Sequence, residues 1–217
     1  MNPLKILVAD DHDVVRRGIR ALLEDQPGWE VCAEATNGRQ AVEKAKQLKP
    51  DVVVLDVTMP ELNGLEAARQ IRKLFPNVEV LILTMHDSEQ LVHEVVKIGA
   101  RAYVLKSDAG RNLVAAVEAL ARHEPYFTPR ATEAVLHRYR EQARGDDLAG
   151  ARDPLTPRER EVAQLLAEGH RTKEVSARLA ISVKTAEAHR ANIFHKLGVG
   201  SIAELVRWAI HTGLIQG

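Results

Sequence analysis

Several common features are missing from this 217-residue chain. It has a single cysteine, Cys32, so no internal disulfide framework can form. That residue is expected to be a small hydrophobe on a strand, in a protein of the reducing cytoplasm. No stretch approaches the roughly 18 to 20 uninterrupted apolar residues of a membrane-spanning helix. The opening MNPLKILVADD lacks the basic head, long apolar core and small-residue cleavage site of a signal peptide. Internal repeats and low-complexity segments are absent too. Net charge is also missing, because thirty basic residues balance thirty acidic ones. What remains, at 45% hydrophobic and 28% charged, has the composition of a globular protein with one or two domains.

The balanced charge is unevenly spread. Residues 151–217 hold ten Lys/Arg against seven Asp/Glu, and the first 150 hold twenty against twenty-three. A mildly acidic module therefore precedes a mildly basic one, an asymmetry too small to establish a nucleic-acid partner by itself. The first module alternates two periodicities. LKILVAD (4–10), EVCAEA (30–35), DVVVLDV (51–57), EVLILTM (79–85) and AYVLK (102–106) are β-type runs. Between them lie helical stripes, at Val15, Ile19, Leu22 and Leu23, at Ala41, Val42, Ala45 and Leu48, at Leu91, Val92, Val95 and Val96, and at Leu113, Val117 and Leu120. A capping box of Asp87 with Gln90 is expected ahead of the third stripe. Alternation of this kind predicts a five-stranded, doubly wound parallel sheet with helices on both faces.

From His123 the pattern loosens. A short helix is expected around 131–142, then an exposed linker through RGDDLAGARDP. The domains are expected at 1–122 and 152–217, joined by a partly helical linker over 123–151. In the second module, LTPRERE predicts a helix start: Thr156 as N-cap, Pro157 at the first position and Glu159 completing a capping box. Val162, Leu165 and Leu166 are its buried face, and Gly169 ends it. A short helix over 173–179 follows, then the turn Ala180-Ile181-Ser182 and a longer helix over 183–197 stopped by Gly198. The last helix, over 201–212, turns Leu205, Val206, Ala209 and Ile210 inward.

In doubly wound sheets, chemistry gathers beyond the carboxyl ends of the strands. Here those ends carry Asp10-Asp11, Asp56, Thr84 and Lys106, with Met59-Pro60 closing off the third strand. Three carboxylates in one pocket repel each other unless a cation intervenes, and an all-oxygen donor set suits Mg²⁺. A carboxylate so held can be a nucleophile toward phosphorus. Lys106 would neutralise charge on the transferring group, and the Thr84 hydroxyl would donate to one of its oxygens. A polar residue at one strand end is ordinary; five at successive strand ends form a pattern.

LKILVADD, DVVVLDVTMPELNGLE, LILTMHD and GARAYVLK together resemble the receiver domain of bacterial two-component response regulators, over residues 1 to about 121. The resemblance implies that Asp56 is the phosphoacceptor. It also implies that Asp10, Asp11 and Asp56 hold Mg²⁺ with the Thr58 backbone carbonyl, and that Thr84 and Lys106 bind the phosphoryl group. Tyr103 would be an aromatic switch that turns inward when Thr84 moves, although an aromatic there also serves as plain packing. Many receivers have Pro after the lysine, whereas Ser107 stands here, so residue type does not favour a cis peptide. Thr58 and His86 occupy positions that tune the lifetime of the phosphate in this family.

RTKEVSARLAISVKTAEAHRANIFHKLGV has helix-turn-helix geometry, its second helix presented to the major groove. Val183, Ala186, Ile193, Phe194 and Leu197 are expected to face the core. Lys184, Thr185, Ala188, His189, Arg190 and Asn192 are left on the outer face, where they suit phosphates and base edges. From Leu155 onward the sequence is similar to the LuxR-type helix-turn-helix of the NarL/FixJ regulators. Glu187 replaces the lysine of many relatives; it either meets a cytosine or, the preferred reading, pairs with Arg190. His170, His189, His195 and His211 fit no zinc spacing.

The resemblance implies a phosphorylation-switched transcription factor. A sensor histidine kinase would phosphorylate Asp56; that would release the DNA-binding module, promote a homodimer, or do both, and so switch binding to promoter half-sites in double-stranded DNA, with no membrane partner. The last helix is a candidate dimer seam. An aspartate-nucleophile phosphatase of the haloacid dehalogenase type would need a second acid where Thr58 stands. A regulator sensing an apolar ligand would not have so acidic a pocket.

Overall fold

The computed structural model describes residues 2–85, 88–129, 131–133, 136 and 154–215. Its contacts divide the chain into two compact units. In the first, β1 (Leu4–Ala9), β2 (Trp29–Ala35), β3 (Val52–Asp56), β4 (Glu79–Thr84) and β5 (Ala102–Leu105) alternate with α1 (Asp13–Glu24), α2 (Gly38–Leu48), α3 (Gly64–Leu74), α4 (Glu89–Ile98) and α5 (Ala109–Ala121). A single 3₁₀ turn, Lys106–Asp108, leads into α5. With a sixth strand, β6 (Tyr126–Phe127), after α5, all pairings are parallel, in the order β2-β1-β3-β4-β5-β6.

The sheet thus has six strands, not the expected five. β6 is only Tyr126–Phe127, in register with Ala102 and Tyr103. Two residues are too few to show a period-2 pattern, which is why the segment reads as linker in the sequence. What places it is the end of α5. His123 takes a left-handed φ of 58°, and the His123 and Glu124 amides donate to Leu120 and Ala119 carbonyls at 2.8 Å each. The chain is turned back so that Tyr126 N–H reaches Arg101 O at 2.8 Å.

Strand residues alternate between two buried faces. Ile6, Val8, Val52, Val54, Leu81, Leu83 and Val104 pack with Ile19 and Leu23 of α1 and with Leu113, Val117 and Leu120 of α5. Leu7, Val53, Leu55, Val80 and Ile82 take the alternate positions and are equally buried. Burial on both faces explains the continuous apolar run of β3. Cys32 is a half-buried residue of β2 whose thiol donates to Ile6 O at 3.4 Å; burial pushes its pKa up.

Some expected inward positions are not buried. Leu48 ends α2 and is exposed, and Val96 is exposed because Val92 and Val95 already fill the inner stripe of α4. The N-cap position of α4 is Ser88, without a side-chain cap bond; Asp87 and His86 lie outside the described residues. The short helix expected around 131–142 and the linker after it lie largely outside them as well. The third strand ends at Asp56, before Pro60, so proline is not what terminates it.

The second unit holds α6 (Pro157–Ala167), α7 (Thr172–Arg178), α8 (Val183–Leu197) and α9 (Ile202–His211). Its core joins Leu155, Val162, Leu165 and Leu166 to Val175, Leu179, Ile193, Leu205 and Ala209. Val183 and Ile210 are exposed instead of inward. Val183 is the first residue of its helix, while Leu205 and Ala209 already take up the inner stripe of α9. The capping box at Thr156 and Glu159 forms in both directions, with Pro157 at the first turn. Glu159 also reaches across to α8: its Oε2 accepts from Thr156 N–H at 2.8 Å and lies 2.6 Å from Lys196 Nζ. Burial alone would raise the Glu159 pKa, but the Lys196 and Thr156 donors hold it below the ordinary carboxylate value. Glu159→Ala removes both a cap and a cross-helix ion pair. It is expected to destabilise this unit by about 1 to 3 kcal/mol, read from urea unfolding of Trp208 fluorescence in a Trp29→Phe background.

Candidate functional site

β3 runs apolar to its last residue and ends on Asp56, whose exposure is 2%. Asp10 follows β1 by one residue, Thr84 closes β4, and Lys106 follows β5 by one. Parallel pairing in register brings these ends to one edge of the sheet. Lys106 Nζ lies 2.7 Å from Asp56 Oδ2 and 2.9 Å from Asp10 Oδ2. Asp10 is fully buried, and its other oxygen accepts the His12 N–H at 2.9 Å. One ammonium therefore bridges two buried carboxylates, with Asp11 alongside. Burial, the largest influence, raises the pKa of Asp56 to about 6; Lys106 opposes that rise, and Asp10 and Asp11 add to it. Burial also works against the charge on Lys106, but its ion pairs with Asp10 and Asp56 outweigh it and leave that pKa raised.

The donors fit a hard divalent cation. One ligand atom each from Asp10, Asp11, His12 and Asp56 lies within 4.8 Å of the others. Asp10 Oδ2, Asp11 Oδ1 and Asp56 Oδ2 are buried with no well-formed hydrogen bond; their close partners are the charges of Lys106 and the His12 ring. Carboxylate oxygens so placed are the ligands that Mg²⁺-like ions take. Thr58 is buried two residues past Asp56, and Thr84 is fully buried. Tyr103 pairs with Ile82 and Leu105 with Thr84, so Tyr103 and Thr84 share a face of the sheet. Tyr103 is inward, 1% exposed. The Lys106–Ser107 peptide is trans, since the described residues contain no cis bond, in keeping with the cost of a cis bond before a non-proline residue.

Two supporting residues escaped the sequence reading. A Cβ on Gly64 would lie 1.9 Å from the Asp56 carbonyl oxygen, and Gly64 N–H donates to Val57 O at 2.8 Å. Glycine is thus required where α3 starts against the Asp56 backbone. Asn63 caps that helix, accepting from Glu66 N–H at 2.9 Å. The Asn-Gly pair in PELNGLE was the available signal. His12 is a third, because a histidine after two aspartates has no meaning until its ring direction is known.

In the second unit, α7 and α8 are joined through Leu179–Ser182, with Ala180 at a left-handed φ of 51°. Ala186 and Ile193 are buried, and Phe194 and Leu197 pack partly against the core. Lys184, Thr185, Glu187, Ala188, Arg190 and Asn192 are exposed, and His189 is half-buried. The Thr185 hydroxyl is not wholly free: it lies 2.8 Å from the Ser182 hydroxyl that caps the helix. Arg190 does not pair with Glu187 as expected; its guanidinium sits 5.2 Å from the Phe194 ring centroid, a cation–π contact.

Residues 6–118 match the family described as "Response regulator receiver domain", and residues 153–209 match "Bacterial regulatory proteins, luxR family". Along its length the chain is 37% identical to the oxygen regulatory protein NreC of Staphylococcus epidermidis, covering 98% of this chain and all of that one. A LuxR-family two-component response regulator from Aurantimonas sp. is 34% identical with a TM-score of 0.60, over 64% of this chain and all of its own. RcsB of Salmonella enterica serovar Typhimurium, bound to promoter rprA in the presence of the phosphomimetic BeF₃⁻, is 27% identical with a TM-score of 0.62. It covers 95% of this chain and 98% of its own.

The raised Asp56 pKa sets a pH dependence. A carboxyl whose folded-state pKa lies above its ordinary 3.8 destabilises the fold when ionised, fully above pH 6 and not at all below about 3.8. In EDTA, Asp56→Asn is expected to stabilise the first unit by about 1 to 3 kcal/mol at pH 7.5. The gain fades as pH falls from about 6 toward 4, as followed by urea unfolding of Trp29 fluorescence.

Proposed function

From the chain's membership of the two-component response regulators that join a receiver to a LuxR-type DNA-binding domain and regulate transcription, we propose that Asp56 is its phosphoacceptor. The second part of the proposal is that the outer face of α8 reads the promoter. The observation that carries it is the buried Asp56 carboxylate held 2.7 Å from Lys106 at the end of an apolar strand. The receiver spans 1–122 and the DNA-binding domain 152–217, joined through 123–151.

A sensor histidine kinase presents a phosphohistidine. An Asp56 oxygen attacks phosphorus, the P–O bond forms as the P–N bond breaks, and the released imidazole recovers a proton. Asp10, Asp11 and Asp56, with the Thr58 carbonyl, hold Mg²⁺, which supplies charge neutralisation on the phosphoryl oxygens when bound. Lys106 supplies a second positive charge, already placed by its ion pairs with Asp10 and Asp56. Thr84 donates its hydroxyl to a phosphoryl oxygen. Its movement toward the pocket is read by Tyr103 on the same sheet face, so that the surface of β4, α4 and β5 is remodelled.

Lys184, Thr185, Glu187, Ala188, His189, Arg190 and Asn192 meet double-stranded DNA. Lys184 and Arg190 supply phosphate or guanine contacts, and a homodimer formed on phosphorylation places two such helices on two half-sites. The promoter-bound RcsB relative supports this reading.

Incubated with Mg²⁺ and a small phosphodonor, the wild-type protein is expected to gain the mass of one phosphoryl group and the Asp56→Ala variant none. Equal labelling of the two proteins, or none of the wild type by any donor or kinase, would remove Asp56 from this role. Lys184→Ala is expected to leave phosphorylation intact and to lower the salt slope of DNA binding by about 1. Fluorescence anisotropy across a salt series measures it, and an unchanged slope removes Lys184 from the interface.

A further inference from the structure

We propose that His12 is a fourth side-chain donor of the acidic pocket, making this chain's divalent-cation site a mixed oxygen–nitrogen site that favours transition ions over Mg²⁺. The inference rests on the reading of Asp10, Asp11 and Asp56 as cation ligands and adds a residue to it.

His12 stands at the N-cap position of α1, but its side chain makes no cap bond. The ring therefore has no part in closing the helix. It points back into the pocket instead, with Nδ1 2.8 Å from Asp11 Oδ1 and 3.4 Å from Asp10 Oδ1. The backbone holds it there, because the His12 N–H donates to Asp10 Oδ1 at 2.9 Å. The nitrogen belongs to the same 4.8 Å cluster as one oxygen from each of the three aspartates. The three carboxylates around it share one ammonium, Lys106, which reaches Asp10 and Asp56, and the close partner of the buried Asp11 Oδ1 is the His12 ring itself. The ring lies against two carboxylates, of which Asp10 is fully buried.

The consequence follows from donor chemistry. Mg²⁺ binds oxygen, keeps several waters and gains little from an imidazole. Cobalt and its neighbours in the first transition row bind nitrogen donors well. Three carboxylates alone would discriminate weakly; adding His12 gives the pocket a donor whose contribution depends on the ion. The half-exposed ring can settle onto a bound ion without disturbing the core.

The test uses the full chain. Calorimetry gives the affinities for Mg²⁺ and Co²⁺, and pulsed EPR of the Mn²⁺-loaded protein reports directly bound ¹⁴N. His12→Gln, which keeps a polar side chain without the ring, is expected to weaken Co²⁺ by about tenfold and to leave Mg²⁺ within about twofold. It is also expected to abolish a ¹⁴N coupling present in the wild type. No ¹⁴N coupling in the wild type, or an unchanged ratio of the two affinities, overturns the role of His12 while the three-aspartate site stands. If the wild type binds neither ion, or Asp56→Asn binds both as well as the wild type, the cation site itself falls and His12 with it.

Discussion

The first unit depends on one ammonium between two buried carboxylates. Lys106 reaches Asp10 and Asp56 from a third strand end, and each of the three is nearly inaccessible to water. An unpaired charge there would be prohibitively costly. The bridge leaves the site short of balance, however, because three aspartates face one lysine. Burial is the largest cause of the elevated Asp56 pKa, and the neighbouring carboxylates add to it, so the pocket keeps an excess of negative charge. The fold tolerates the strain because β3 is buried throughout and anchored on both sides by parallel neighbours.

Much of this was legible in the sequence because hydrophobic period and strand ends carry it. Five strands, the helical stripes and the four pocket residues Asp10, Asp11, Asp56 and Lys106 follow from where apolar runs stop. The capping box at Thr156 and Glu159 was equally readable, since its chemistry is local. The parts that escaped depend on direction or on distant partners. Nothing in a two-residue segment announces that Tyr126–Phe127 will pair with β5. Nothing local says that Gly64 will press on the Asp56 carbonyl, that Lys196 will complete the Glu159 cap, or that Arg190 will settle on Phe194 in place of Glu187. Val183, Leu48, Val96 and Ile210 were misassigned for a simpler reason: a helix end or a filled stripe leaves an apolar residue outside.

The second unit solves a different problem with similar means. Among the described residues its four helices share one small core, and the longest of them, α8, turns Ala186 and Ile193 inward while its charged and polar groups stay in water. Glu159 and Lys196 tie that helix to α6 by a side-chain contact, fixing the presenting surface from behind. The outer face of α8 is thus held from behind and solvated in front.

The sixth strand has a consequence for colloidal behaviour. A five-stranded open sheet would end at β5 with unpaired backbone groups beside Tyr103, a template for strands from other molecules. Tyr126 and Phe127 occupy the first half of that border. At the opposite border the chain uses side chains: Lys44 donates to the Glu34 carbonyl of β2, and the Glu34 carboxylate is clasped by Arg16 and Arg20. One margin is partly covered by backbone and the other is guarded by charge, two of the means by which sheet borders are kept from pairing with other chains.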